Sequence, residues 1–127
     1  MITPFNMVRD INGYNGFGLK FSNYQIQTVL LPNTEITLSV PTTGNAIFKN
    51  LLAIFSFTPG SSVWVAINGT ATLPSSGVWT QCDCELNPAA RSAKYTENDL
   101  YLQTGDTLSF ITSESGVQVG VTFYATS

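Results

Sequence analysis

The sequence predicts an all-β protein, an antiparallel two-sheet β-sandwich of jelly-roll type with seven to nine strands. Short segments that alternate apolar and polar residues recur along the chain, and turn residues separate them at roughly eight to twelve residue spacing. Only 10% of the residues are charged, against about 25% in an ordinary globular protein. This shortage argues against a helical bundle or a coiled coil, and 127 residues are enough for one domain whose core needs no disulfide or metal.

The first nineteen residues differ from the rest of the chain. Isolated apolar side chains stand among Asn and Gly residues there, and neither a helical nor a strand period runs through them. The sequence therefore predicts an irregular N-terminal arm at 1–19 and a β-sandwich domain at 20–127. Apolar side chains on an arm must pack against their own domain or against a neighbour, and Phe5, Met7 and Val8 are the predicted contacts.

Strand patterns begin after the arm. Apolar and polar residues alternate at 24–30 and again at 36–40, with Pro32 breaking the run between them. The segment 47–57 is more continuously apolar, which predicts a strand that is covered on both faces.

A hairpin is predicted at Asn68 and Gly69, which separate the segments 63–67 and 70–73. Both residue types tolerate the positive φ angles that a two-residue type I′ turn requires. Farther along, Asn87 followed by Pro88 predicts one helical turn, because Asn caps helices and Pro favours the first helical position. Further strands are predicted at 78–84, 92–95, 107–112 and 117–125, with a turn at Gly105-Asp106.

The chain has no histidine, so it lacks the commonest general base and the commonest metal ligand. This argues against serine or cysteine triads of the usual kind and against the usual zinc sites. Cys82 and Cys84 are interpreted as reduced, small apolar side chains, with half of a metal site completed by a symmetry mate as the alternative.

The acidic residues offer two candidate sites. Asp83 and Glu85 would share one face of a strand, about 6–7 Å apart, which suits a glycosidase pair but is also typical of a solvated strand face. Asp106 could coordinate calcium or a sugar hydroxyl, or it could bond the local backbone in a turn. We favour the structural interpretation of both and predict no catalytic residue, no enzymatic activity, no cofactor and no metal.

Two tryptophans, Trp64 and Trp79, could form a sugar-stacking platform. Trp64 is out of phase with its apolar neighbours Val63 and Val65, so it is predicted to face away from the core. We favour an oligomer contact for it, with packing in a second core or loop, and ligand binding, as the alternatives. A net charge of −3 argues against nucleic acid as a partner, and no segment is apolar over the length of a membrane span.

Four stretches carry a resemblance to a known family: INGYNGFGLKFSN, SVWVAINGTATLP, ELNPAAR, and TGDTLSFIT together with VGVTFYAT. The chain resembles the small decoration, or cement, proteins of tailed-bacteriophage capsids. The resemblance implies a jelly roll or sandwich that sits on the outer surface of the phage head and bridges capsid subunits. It implies no active-site residues.

The resemblance also implies the partners, which would be the major capsid protein and copies of the chain itself, as a homodimer or homotrimer. The predicted localisation is the virion, after synthesis in the host bacterial cytoplasm. Trp64 and Tyr124 join Phe5, Met7 and Val8 as predicted contact residues. The alternative function is a carbohydrate- or receptor-binding module of a phage fibre, or a trimeric ligand like tumour necrosis factor.

Overall fold

The computed structural model describes residues 2–5, 7–9, 15–19, 21–44, 50–74, 84–89 and 102–126, with the backbone alone at 7–9 and 15–19. This part of the chain contains β-strands and no helix. The strands are β1 (Met7–Arg9), β2 (Asn15–Leu19), β3 (Gln25–Val29), β4 (Ile36–Ser39), β5 (Asn50–Phe57), β6 (Val63–Ile67), β7 (Cys84–Leu86), β8 (Leu102–Gln103), β9 (Thr107–Thr112) and β10 (Gln118–Ala125).

Eight of these strands form two antiparallel sheets of four, as in a β-sandwich. The first sheet has the order β3-β10-β5-β8 and the second has the order β4-β9-β6-β7. The all-β, two-sheet prediction is confirmed for the described residues. The strands β9 and β10 lie where the alternating pattern predicts them, and the bounds of β9 are the predicted ones.

One apolar core lies between the sheets. Val119 and Phe123 reach it from the first sheet, and Leu108 and Phe110 reach it from the second. The rings of Phe55 and Phe110 meet across the gap with centroids 6.2 Å apart. Burial of one apolar face from each sheet is the main favourable term in this fold, because each face removes the other from water.

The prediction that β5 is covered on both faces is confirmed in part, since Leu51 and Ala53 are buried while Leu52 and Ile54, on the opposite face, are half-buried. Only Ser56 among its eight residues is exposed. The strand lies between β10 and β8 in the first sheet, and its core-facing residues are Leu51, Ala53, Phe55 and Phe57.

The prediction of an irregular arm is wrong. Strands β1 and β2 pair with each other as a small antiparallel sheet within 1–19. The residues before them join the sandwich, because Ile2 is buried in the main core and Pro4 forms a bridge to Ala125. The three residues of β1 are too few to show a period, and β2 has Asn15, Gly16 and Gly18 among its five residues, so the sequence offers no apolar alternation that would indicate either strand.

The predicted Asn68-Gly69 hairpin is also wrong. Asn68 has the expected positive φ of 54°, but Gly69 does not share it, and residues 70–74 form no strand. Strand β6 already has β9 on one side and β7 on the other, so no edge remains for a hairpin partner. The Asn68 side chain instead binds the start of β9. It accepts a hydrogen bond from the Thr107 amide and donates one to the Asp106 carboxylate.

The predicted helical turn at Asn87 is wrong as well. Asn87 has a positive φ of 41°, whereas a helix N-cap lies in the β region. Its side chain accepts a hydrogen bond from the Val63 amide at 2.8 Å and donates one to the Ser61 carbonyl at 2.7 Å. The predicted strand at 92–95 and most of the one at 78–84 lie outside the described residues.

Candidate functional site

The N-terminal residues Ile2–Phe5 lie alongside the end of β10, where β3 no longer reaches. The amide of Phe5 donates to the Ala125 carbonyl at 2.8 Å, and the amide of Ala125 donates to the Thr3 carbonyl at 3.0 Å. The amide of Thr3 also donates to the side-chain oxygen of Asn23, at 3.0 Å. This short segment therefore continues the first sheet rather than extending away from it.

One apolar patch, the Phe5 patch, consists of Phe5 and Tyr124. Their rings meet edge to face with centroids 5.6 Å apart. Tyr124 alternates with the core residue Phe123, so it lies on the outer face of the first sheet. Tyr124 is buried, and Phe5 covers it while keeping 41% of its own surface exposed.

Met7 and Val8, the other predicted contacts of the N-terminal segment, lie in β1, whose backbone pairs with β2. Their side chains fall outside the described part of the structure. The prediction that they contact a partner stays a prediction.

A second apolar patch, the Trp64 patch, lies on the outer face of the second sheet. Trp64 has Leu86 and Ile111 as its cross-strand neighbours on β7 and β9. The predicted outward phase of Trp64 is confirmed, because it packs away from the main core. The members of the patch are Trp64, Ala66, Ala71, Leu73, Cys84, Leu86 and Ile111.

The segment after β6 folds back over part of the Trp64 patch. The amide of Ala71 donates to the hydroxyl of the buried Ser109 at 3.0 Å, and the amide of Thr72 donates to the sulfur of Cys84 at 3.4 Å. Trp64 remains half-buried, and Leu86 is 44% exposed. Trp64 thus packs in a second, smaller core, which was one of the alternatives considered for it, and its role as an oligomer contact stays a prediction.

The two patches face in opposite directions, because each lies on the outer side of a different sheet. The structure does not bring Phe5 and Tyr124 together with Trp64. It gives the molecule an apolar area on each broad face, with the core between them.

Polar candidates do not converge in the described residues. Asp106 accepts hydrogen bonds from the Gln103 amide at 2.8 Å and from the Asn68 side chain at 3.1 Å, and Gly105 has a φ of +92°. This confirms the turn interpretation of Asp106. Glu85 lies in β7, while Asp83, Cys82 and Trp79 lie outside the described residues.

Within that same part of the chain, no group of three or more His, Cys, Asp or Glu residues is placed to hold a metal ion. Nor does it contain a helix with the length and apolar character needed to cross a membrane.

Sequence reasoning missed a third apolar surface, which flanks β3. Phe21 is 93% exposed, Leu31 is 61% exposed and Val29 is 53% exposed. The alternating pattern at 24–30 predicts the strand but cannot tell whether it lies at an edge of its sheet. A signal was nevertheless present, since the whole stretch 21–31 carries no charged residue.

Comparison of the chain with family models, with curated proteins and with solved structures finds no match.

Proposed function

We propose that this chain is a capsid decoration protein, a jelly roll that binds the outer surface of a phage head and stabilises it by bridging capsid subunits. The observation that carries the proposal is the pair of apolar patches on opposite outer faces, since a bridging protein needs two separate contact areas. The resemblance of four stretches of sequence to the decoration-protein family points the same way.

The strand order supports the jelly-roll assignment. Strand β3 pairs with β10, β4 with β9, β5 with β8 and β6 with β7, so the pairings are nested like those of one long hairpin. The hairpin is rolled up, because β10 also pairs with β5 and β9 also pairs with β6. Eight strands in two sheets are the usual jelly-roll inventory, and viral capsid proteins are among the domains that use it.

The surroundings of Trp64 favour contact with protein over contact with a glycan. Its described neighbours in the Trp64 patch are the side chains of Ala, Leu, Ile and Cys residues. A sugar site needs polar groups beside the aromatic ring to orient the hydroxyls.

The proposed mechanism is thermodynamic. A subunit that binds the assembled shell, and not loose capsid protein, stabilises the shell by mass action. Many copies on one head act together through the symmetry of the lattice. The partners are then the major capsid protein and copies of the chain itself, in a virion assembled in the bacterial cytoplasm, and no catalysis is required.

Truncation of either patch tests this function. We expect Phe5→Ala and Trp64→Ala each to raise the protein concentration for half-occupancy by about tenfold, because loss of a central aromatic side chain from an interface typically costs more than 1 kcal/mol. The measurement is titration of purified protein onto heads of the parent phage that lack it, with bound copies counted by electron microscopy.

Phe21→Ala is the matched control, since it removes an aromatic ring that is 93% exposed and belongs to neither patch. Circular dichroism melts show which variants remain folded. If folded variants of both patches decorate heads at the wild-type concentration, the two-patch proposal is wrong. Failure of the wild-type protein to bind heads at all would reject the capsid function itself.

A further inference from the structure

Strand β3 is an outer strand of the first sheet. Among the described residues it pairs with β10 alone, in an unbroken register from Gln118 opposite Val29 to Thr122 opposite Gln25. Four of its five residues are exposed. Within the described part of the chain, the other side of β3 is therefore an edge with no strand beside it.

The direction of the backbone groups on that edge follows from two hydrogen bonds. The Leu30 amide donates to the Val117 carbonyl at 2.8 Å, and the Phe123 amide donates to the Tyr24 carbonyl at 3.1 Å. Residues in an antiparallel strand alternate in the side to which they point these groups. The even-numbered residues thus face β10, and Gln25, Gln27 and Val29 point their N–H and C=O groups outward.

The edge lacks the features that usually block pairing with another chain. Natural edge strands carry charges, prolines or bulges, or are very short. The stretch 21–31 has no charged residue and no proline, and β3 pairs without a bulge.

An apolar cleft opens on the same flank of the sandwich. It lies between the edge strands β3 and β4 and is lined mainly by Ile26, Ile36, Leu38, Phe110, Val119 and Val121. A partner that pairs with β3 would cover the mouth of this cleft. The flank therefore offers hydrogen-bonding groups and apolar area side by side.

We propose that β3 pairs antiparallel with β3 of a second copy, about a twofold axis at Gln27, to join the two first sheets into one of eight strands. The occupant is a second copy because the edge is self-complementary in this register. Gln27 meets Gln27 of the partner subunit, and Gln25 meets Val29 of the partner subunit, so outward-pointing residues face each other and exchange ladder bonds. An uncharged strand meets its own copy without like-charge repulsion.

This proposal deepens the proposed function by naming the surface through which copies of the chain meet, and it is tested apart from that function because the purified chain is measured without heads. Its direct test is cysteine cross-linking of the full chain under mild oxidation. Gln27→Cys should yield a covalent dimer, because the two Cα atoms across a hydrogen-bonded pair lie about 5.5 Å apart, within disulfide range.

Gln25→Cys is the matched control, with the same native cysteines and the same outward backbone direction. Its two copies would be about 14 Å apart in the proposed register, too far for a disulfide, so it should not cross-link with itself. Mixed with Val29→Cys, it should form a heterodimer. Dimers of wild type by sedimentation equilibrium, with this cross-linking pattern, support the proposal.

A second variant tests the dimer without any oxidation step. Gln27→Pro removes one outward N–H and no bond to β10, so it should convert the dimer to a folded monomer. A wild-type chain that is monomeric at every concentration tested would overturn the proposal. Equal cross-linking of Gln25→Cys and Gln27→Cys would overturn it too, and so would a dimer that Gln27→Pro leaves intact.

Discussion

At the scale of single residues, Asn87 shows how one side chain can fix two strands. It follows β7, and its side-chain amide accepts a hydrogen bond from the Val63 amide and donates one to the Ser61 carbonyl, where β6 begins. Its own backbone amide donates to the Val63 carbonyl at 2.8 Å. The sequence suggested a helix cap because Asn bonds nearby amides in many local structures, and only the fold determines which amide is near.

Asn87→Ala should lower the free energy of unfolding by about 2 kcal/mol, because it leaves the amide of the fully buried Val63 without its partner. Urea denaturation measures the change. Asn87→Gly loses the same bonds but adopts a positive φ without strain, so it should lose about 1 kcal/mol less. Equal losses for the two variants would contradict the backbone part of this account.

Alternation along β10 gives a second prediction at this scale. Val121→Thr places a hydroxyl in the core at nearly constant volume and should cost about 1–3 kcal/mol of unfolding free energy. Gln118→Thr, on the exposed face of the same strand, should change it by less than about 0.5 kcal/mol. Similar denaturation midpoints for the two variants would show that the faces of β10 have been assigned wrongly.

At the scale of elements, the N-terminal segment is part of the domain rather than a detachable arm. Ile2 is 4% exposed in the main core, and its amide donates to the Thr43 carbonyl at 2.8 Å. Deletion of 1–19 would therefore damage the sandwich as well as any contact with a capsid. For this reason single substitutions test the proposed contacts better than a truncation does.

Ile2→Ala should lower the free energy of unfolding by about 2 kcal/mol or more, since it leaves a cavity in the main core between the two sheets. Phe5→Ala, which truncates a half-exposed ring, should cost less. Thermal melts of the two variants make the comparison. An unchanged melting temperature for Ile2→Ala would mean that this segment is not docked on the sandwich in solution.

Elements with a long alternation were predictable, and those that depend on distant partners were not. The strands β4, β9 and β10 follow from their own residues, because each presents one apolar face to the core. Asn68 and Gly69 carry the usual hairpin signal, yet β7 and β9 occupy both sides of β6. A local sequence pattern does not show which distant strands will occupy the two sides of β6.

At the scale of the whole molecule, composition and alternation predicted two stacked sheets, while the order of strands within them came only from the structure. Turn residues show where the chain reverses but not which strand lies beside which. Of the candidate surfaces, one was predictable from local sequence and the other required the strand order. The phase of Trp64 was evident from Val63 and Val65, whereas the exposed edge at β3 follows from the strand order, in which β10 is the one neighbour of β3 among the described strands.

The nested strand order also determines at which stage of its synthesis the chain can fold. The strands β3, β4, β5 and β6 are not neighbours of one another in either sheet, and the inner strands β9 and β10 come after all of them. While the ribosome is still adding the later residues, the apolar segment of β5 has no native partner to shield it. Folding of the two sheets must then wait until synthesis has passed β10, and until that moment the apolar segment of β5 is exposed to aggregation.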